Sequence, residues 1–470
     1  MKAVESEFNK ILNRVLEEVK PTEEEEKQVM EVVEDVISIL KQELTQKAGV
    51  EEISLEGSFA KGTWIRGKEE ADIFAQFNPR VDRETMASLT IKAGKTAVEK
   101  LGGFARLRYA EHPYVEGIVK NIQLNIVPCY RLDKGWKTAV DRTPHHTKFV
   151  KSNLTKEQRD QVRLLKALLQ ASNLYGAEIR VGGFSGYVTE LMIVKYKTLE
   201  NLLKHATTWK PPVVMEITST NVDRVQIIRK FPNSPLIIPD PVDENRNAAS
   251  AVTLQKLSEF ILLAKLFIEE PSSRFFHRSE GHHPVVGSRN ILGVFFEIRE
   301  SKPPDILWGE LLHSLNGVTK ALEVAGFKVW RYDAWSDEKT VFMLFELEEL
   351  ELPGFYLHKG PEVFRETALG FVHKHVKDER TIAGPWVSGN RIYVLKKRTL
   401  TKVDEVLKQA LQRSSVSLSH GLKRYVTEGA VIIAGYSNVI SFADEHGLRS
   451  FVEGFLCGRP SYIDALKHMP

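Results

Sequence analysis

Gly57-Ser58-Phe59-Ala60-Lys61-Gly62-Thr63-Trp64 and, twelve residues after Ser58, Glu70-Ala71-Asp72-Ile73-Phe74 are the passage on which the reading of this chain turns. Ile53 and Leu55 alternate with polar neighbours just ahead of it, which predicts a short strand running into Gly57-Ser58. Ala71 to Phe77 alternates again and predicts a second strand. Residues two apart on a strand leave the same face, so Glu70 and Asp72 stand side by side. Two adjacent carboxylates repel each other unless a cation sits between them.

Mg²⁺ prefers such hard oxygen ligands and shares them with substrate phosphates. Two such ions can hold the attacking hydroxyl and the leaving pyrophosphate of an in-line displacement. Gly57-Ser58 supplies the other half. A glycine at a strand-to-helix turn lets backbone N–H groups approach a phosphate, and a helix N-terminus favours its charge. Ser58 adds a hydroxyl, and Lys61 a positive charge one turn on. Separately, an acidic pair is most often a solvated sheet face and a Gly-Ser only a helix cap. It is their spacing and strand–turn–helix order that point to phosphate chemistry.

Outward from this passage, residues 4–46 have helical spacing with a break near Pro21, and Thr22 before Glu23 to Glu26 reads as an N-cap with acids in the first turn. A helix is expected from Arg83 to Leu101, and a strand from Ile122 to Val127 that Pro128 ends. Thr155 with Gln158 reads as a capping box opening a helix to about Ser172. Gly182-Gly183-Phe184-Ser185-Gly186 precedes a helix expected over Tyr187–Leu203, and another is expected over 253–270. Strands at 293–299, 328–332 and 340–347 with a helix at 307–325 form a third part. The expected fold class is α+β and multidomain. The expected divisions are a catalytic domain carrying the acidic pair over 1–154, a mostly helical domain over 155–270, and an α+β region with a tail over 271–470.

The 470 residues include 65 Lys+Arg against 62 Asp+Glu, so the net charge of +3 announces no nucleic-acid binder, and any basic surface must come from local clustering. Arg391, Lys396, Lys397 and Arg398, with Tyr393 interleaved and Lys374, Lys377 and Arg380 upstream, are the best candidate for a patch that tracks a phosphate backbone. The bland alternative is a solvated face. Two distant cysteines, Cys129 and Cys457, make no disulfide framework or zinc site. No apolar leader or membrane-spanning run is seen, so a cytoplasmic protein with no membrane partner is expected. His277, His282 and His283 match no zinc spacing and are expected on a surface loop, whereas Phe275, Phe276, Trp330 and Trp335 are expected in cores.

Gly-Ser followed by acidic-x-acidic is similar to the signature of the polymerase-β-type nucleotidyltransferases. Further blocks narrow the likeness. They are Tyr109-Ala110-Glu111-His112-Pro113-Tyr114-Val115, Val127-Pro128-Cys129-Tyr130, Ala139-Val140-Asp141-Arg142-Thr143-Pro144, Arg163-Leu164-Leu165-Lys166, Tyr175-Gly176-Ala177-Glu178, Gly183-Phe184-Ser185-Gly186-Tyr187 and Asp240-Pro241-Val242-Asp243-Glu244-Asn245-Arg246-Asn247. In order over residues 57–250, they resemble the archaeal (class I) CCA-adding enzymes; beyond 270 the likeness rests chiefly on Gly360-Pro361.

The resemblance implies template-independent addition of C, C and A to the 3′ end of tRNA from CTP and ATP, with Mg²⁺ as cofactor, tRNA as partner, a C-terminal region that grips the tRNA body, and a homodimer among the assemblies to expect. It implies that Glu70 and Asp72 bind the metal ions and that Ser58 and Lys61, beside Gly57, hold the triphosphate. Lys61 stands where the family usually has Arg, and so loses the bidentate fork. Thr143, His146, Lys166 and Tyr175 would contact the nucleotide, and Arg246 the edge of the incoming base.

Asn125 departs from the pattern, standing where the family carries a third carboxylate. It offers a neutral oxygen to a metal and cannot accept the proton of a 3′-hydroxyl. Three explanations are open. The residue is a change introduced to trap substrate, with transfer lowered on the order of 10²–10⁴-fold; a natural Asn is offset by another acid such as Glu111; or the chain is a tRNA-binding protein without catalysis. A relative that makes other polymers, such as a poly(A) polymerase or oligoadenylate synthetase, is the rival enzyme.

Overall fold

The structure is a computed structural model that describes residues 2–44, 49–109, 112–218, 223–278 and 287–466. They fall into two compact units, Met1–His282 with Arg459–Pro470, and His283–Gly458. Among the described residues no helix is long and apolar enough to cross a membrane.

The first unit opens with α1 (Lys2–Val19) and α2 (Glu23–Leu44), which part at Pro21 as expected. Glu25 N–H donates to Thr22 Oγ1, and Thr22 N–H donates back to the Glu25 carboxylate. That reciprocal cap contributes about 1 kcal/mol. Next come β1 (Val50–Glu56), α3 (Gly57–Lys61), β2 (Glu70–Phe77), α4 (Arg83–Lys100), β3 (Phe104–Tyr109), β4 (Pro113–Val119) and β5 (Ile122–Tyr130). The strands form one mixed sheet in the order β1-β2-β5-β4-β3. β2 and β5 run parallel and every other neighbouring pair antiparallel. One face is sealed by α2 and α4 through Val33, Val36, Leu40, Ala93 and Ala97 against Ile73, Ala75, Leu124 and Ile126. The opposite face is left for polar side chains.

Two expectations are corrected here. β3 and β4 were not read from the sequence as strands. And Pro128 does not end β5, which continues to Tyr130. The amides of Gln123 and Arg131 donate to the carbonyls of Glu69 and Phe77, on the β2 side, so alternation puts the donor that Pro128 lacks on the other side. There the pairing with β4 has already stopped at Val115–Ile126. Proline is tolerated where no ladder bond is lost.

Helices follow: α5 (Thr143–Asn153), α6 (Lys156–Ala171), α7 (Gly186–Tyr196) and α8 (Leu199–Ala206). The Thr155–Gln158 capping box is present at the start of α6. The single helix expected over Tyr187–Leu203 is two, because Lys197 turns left-handed at φ 70° and Thr198 caps a new helix. β6 (Val213–Val214) and β7 (Leu236–Ile237) pair around α9 (Arg224–Lys230), and α10 (Leu254–Glu269) closes the helical part. Its core is built on Leu165, Leu168, Phe184, Leu191, Phe260 and Phe267. Phe275 and Phe276 join it, and so does Tyr462 from the C-terminal segment, where Ser461 Oγ donates to the Ala171 carbonyl.

The second unit contains β8 (Ile291–Glu297), α11 (Pro304–Ala325), β9 (Val329–Ser336), β10 (Thr340–Leu347), β11 (Phe355–Glu362), α12 (Thr367–Val376), β12 (Thr381–Ser388), β13 (Arg391–Lys397), α13 (Val403–Gln412), α14 (His420–Gly429), β14 (Val431–Ala434), α15 (Tyr436–Glu445) and α16 (Arg449–Cys457). A four-stranded sheet, β14-β8-β10-β9, has one core with α11, α13 and α14 and another with α15 and α16. A three-stranded sheet, β11-β13-β12, carries the cationic strand. Trp330, expected in a core, is 54% exposed. His277 pairs with Glu18 at the surface, whereas His282, His283 and Glu111 lie outside the described residues.

Candidate active site

Strand register builds the site. Asp72 faces Glu56 on β1 and Asn125 on β5; Asn125 faces Glu116 on β4; Glu116 faces Arg106 on β3. One rung therefore crosses all five strands, Glu56–Asp72–Asn125–Glu116–Arg106. Directly paired residues point to one face, so their polar ends gather on the side away from α2 and α4. Glu70 stands one pleat along β2 on the same face.

At the centre, Asn125 Nδ2 donates to Glu70 Oε1 at 2.6 Å and to Asp72 Oδ1 at 3.0 Å. Burial, then the charges of Asp72 and Glu116, hold the Glu70 carboxyl above its usual range despite the Asn125 bond. Burial does the same to Asp72. Asn125 Oδ1 is buried with no hydrogen-bond partner among the described residues. Among those residues no three His, Cys, Asp or Glu side chains converge into a metal cluster. The site offers two carboxylates and an amide. An amide is nearly symmetric in shape, so its orphaned oxygen and its bonded nitrogen can exchange places. Two raised carboxylates and an unused oxygen are a donor set that suits a hard divalent cation.

Gly57 closes the near side. Its φ is 69°, and a Cβ there would stand 1.9 Å from Asp72 Oδ2, so both conformation and space require glycine. The helix it opens, α3, has only five residues. The dipole expected for Ser58 is therefore that of a single turn. Lys61, at its end, is buried and donates to Glu190 Oε2 at 2.6 Å. Thr63 Oγ1 donates to the other oxygen of Glu190 at 2.7 Å. Lys166, on α6, is buried beside them, donating to the Thr63 carbonyl at 3.0 Å, with Glu190 at 4.0 Å. Burial lowers its ammonium to about 8 although Glu190 opposes the shift. Tyr175 is near Glu190, Glu70 and Asp72, and burial raises its hydroxyl well above the ordinary value. A Cβ on Gly186 would come 2.9 Å from the Tyr175 hydroxyl and 3.8 Å from Lys166 Nζ, so that glycine keeps open the space they share.

A second polar group centres on Asp240. His146 Nε2 lies 2.9 Å and Arg246 Nη1 2.8 Å from Oδ2, while Tyr187 Oη donates to Oδ1 at 3.0 Å. The His146 and Tyr187 rings stack at 3.9 Å between centroids. Burial lowers the His146 imidazole, although its bond to Asp240 opposes the shift. Burial works to raise Asp240, but the His146 and Arg246 contacts bring it down to about 2. Thr143 starts α5, one turn before His146. The structure thus brings Gly57, Lys61, Glu70, Asp72, Asn125, Lys166 and Tyr175 together, and sets His146 and Arg246 on one carboxylate. Sequence reading did not single out Glu190, Asp240 or Tyr187. Asp240 and Tyr187 sit in quoted blocks; Glu190 left no signal.

The cationic strand has a different character. Lys396 is buried and donates to Asp378 Oδ2. Arg391 binds Glu362 and the Gly360 carbonyl. Arg398 donates to the Ala325 carbonyl at 2.7 Å and lies over the Tyr356 ring. Of the four candidates only Lys397 is exposed.

A mixed sheet that sets paired carboxylates beside a glycine turn, with buried lysines close by, places the chain among the nucleotidyltransferases. Comparison with known proteins narrows this. Family models match for the second domain of tRNA nucleotidyltransferase over residues 160–277, for the C-terminal domain of CCA-adding enzyme over 288–435, and for the DZF N-terminal domain over 3–100. The CCA-adding enzyme of Pyrobaculum aerophilum is 37% identical over 88% of this chain and 96% of that one. Those of Sulfurisphaera tokodaii and Methanothermobacter thermautotrophicus are 36% and 35% identical, over 85% and 81% of this chain and 91% and 84% of theirs. The chain belongs to the archaeal CCA-adding enzymes. Among solved structures, the Cid1 poly(U) polymerase bound to Mg 3′-dATP aligns at TM-score 0.47 and 15% identity over 58% of this chain and 99% of that one.

Proposed function

We propose that this chain adds C, C and A to the 3′ end of tRNA without a template, taking CTP and ATP. The observation that carries the reading is the rung: Glu70 and Asp72 side by side around the Asn125 amide, against a glycine that no other residue replaces. Glu70, Asp72 and Asn125 would hold divalent metal, which we take to be Mg²⁺. When bound, such an ion supplies Lewis-acid polarisation at the α-phosphate and eases ionisation of the 3′-hydroxyl.

The chain's own residues do the positioning. Ser58, Lys61 and Lys166 draw the triphosphate, the lysines exchanging part of their hold on Glu190 for phosphate oxygens. Tyr175 and Thr143 pack the sugar. Arg246, fixed by Asp240, presents donors to the base, with His146 held beside it by the same carboxylate. The 3′ oxygen of the RNA then forms its bond to the α-phosphorus as the bond to the bridging oxygen breaks, and pyrophosphate leaves. This reading takes the enzyme as cytoplasmic, divides it at 154/155 and 270/271, and gives the C-terminal region, with Lys397, the tRNA body.

The test is extension of tRNA lacking its CCA end, with CTP, ATP and Mg²⁺. Products three nucleotides longer that require both nucleotides are expected. An unlimited A tract from ATP alone would make the chain a poly(A)-type enzyme. Tight tRNA binding with no extension would make it a binding protein.

A further inference from the structure

We propose that Glu116 is the third acid of this site, supplying from β4 the negative charge that Asn125 does not supply from β5. The inference rests on the nucleotidyl-transfer reading above and goes further, by assigning the residue that completes the metal-binding charge.

The register carries it. Glu116 is the direct cross-strand partner of Asn125, so the two side chains rise from the same face with Cβ atoms about 5 Å apart. Asn125 in turn is the partner of Asp72. Asp72, Asn125 and Glu116 therefore stand on three consecutive strands, in line. Glu116 is buried, and glutamate is one methylene longer than aspartate, so its carboxylate can lean back across one strand spacing towards the amide. Its charge already reaches Glu70.

Glu116 is also held in a form that can be released. Arg106 binds Oε1, and Arg108 Nε donates to Oε2 at 3.2 Å. Their side chains are 50% and 37% exposed, whereas that of Glu116 is 8% exposed. Two half-exposed guanidiniums beside a metal–phosphate site suit backbone phosphates of the incoming RNA end. When they turn to phosphate, the two oxygens of Glu116 become available to the cation's surroundings. Glu111, the compensating acid weighed from sequence, lies outside the described residues.

The test is a titration of the full chain with Mn²⁺, followed by the loss of the free-ion electron paramagnetic resonance signal, in four forms: the chain as it stands, Glu116→Gln, Asn125→Asp, and both together. Glu116→Gln is expected to weaken Mn²⁺ binding at least about tenfold in the chain as it stands, within the range for outer partners of a metal site. In the Asn125→Asp background, where a carboxylate already stands on β5, its cost shrinks to about threefold or less. Should Glu116→Gln not fold, Arg106→Gln with Arg108→Gln gives the answer with opposite sign: freeing Glu116 tightens Mn²⁺ binding. Equal losses in both backgrounds would show that Glu116 merely anchors its arginines, and no loss in either would remove it from the site; both overturn the proposal. The coupled pattern in a chain that adds no nucleotide would uphold Glu116 and overturn the reading of the reaction.

Discussion

In the first unit, Glu70 and Asp72 share one amide and lie above their ordinary carboxylate range; in the second, Lys396, Arg391 and Arg398 are each already paired with an acid or a carbonyl. Both passages look charged in sequence. The first sets two neighbouring carboxylates around one neutral amide, a repulsion that costs stability unless a cation arrives. The second spends its charge on its own fold. Unmatched charge marks a site; matched charge marks architecture.

The largest effect that bears on this contrast belongs to Asp72→Asn. Single-turnover addition is expected to fall on the order of 10³-fold, the scale of one lost electrostatic group at a reacting centre, with tRNA affinity unchanged in a filter-binding assay. A parallel loss of tRNA affinity would show that the acids have a structural duty and would erase the distinction.

Next is Lys166. Its ammonium lies at about 8, so a triphosphate meets a cation below that pH and an amine above it. Nucleotide affinity measured calorimetrically should weaken as pH rises through and beyond 8, and Lys166→Met should flatten that dependence. An unchanged pH profile in the variant would assign the effect elsewhere.

A smaller effect separates two neighbouring lysines. Lys397→Ala should reduce the slope of log affinity for tRNA against log salt by about one, as loss of one phosphate contact does. Lys396→Met should leave that slope alone and instead lower Tm by a few degrees through the loss of its bond to Asp378. The reverse outcome would return Lys396 to the RNA surface.

The smallest effect is a pH dependence of stability without metal. Glu70 and Asp72 titrate higher folded than unfolded, so the folded state binds more protons across the interval between the two values. Stability therefore falls as pH rises through that interval, and the penalty persists above it. Mg²⁺ neutralises the ionised pair, so the gain in Tm on adding it should be larger at pH 7.5 than at pH 5. A gain independent of pH would place the ion elsewhere.

What was legible in the sequence was local. Glu70 and Asp72 were found because strand periodicity fixes which neighbours share a face, and Gly57 because its turn follows a strand directly. The capping box at Thr155 is likewise a matter of three residues. The rest depended on partners far along the chain. Glu116 joins the rung only through the strand order β1-β2-β5-β4-β3, in which a strand missed from sequence supplies the neighbour of Asn125. Glu190 reaches Lys61 across 129 positions, and no local pattern announces it. Lys396 read as a surface cation because nothing near it in sequence shows that its alternate face is covered, nor that Asp378, eighteen positions earlier, will meet it.

The central claim, that Glu116 makes up for the acid missing at position 125, is tested most directly by single-turnover CCA addition, at saturating nucleotide and Mg²⁺, for this chain beside Asn125→Asp. With Glu116 supplying the missing charge, the two rates should agree within about tenfold. A gain on the order of 10²–10⁴-fold in the aspartate form, the worth of a restored general base, would contradict the account and leave position 125 as a disabled ligand with no substitute.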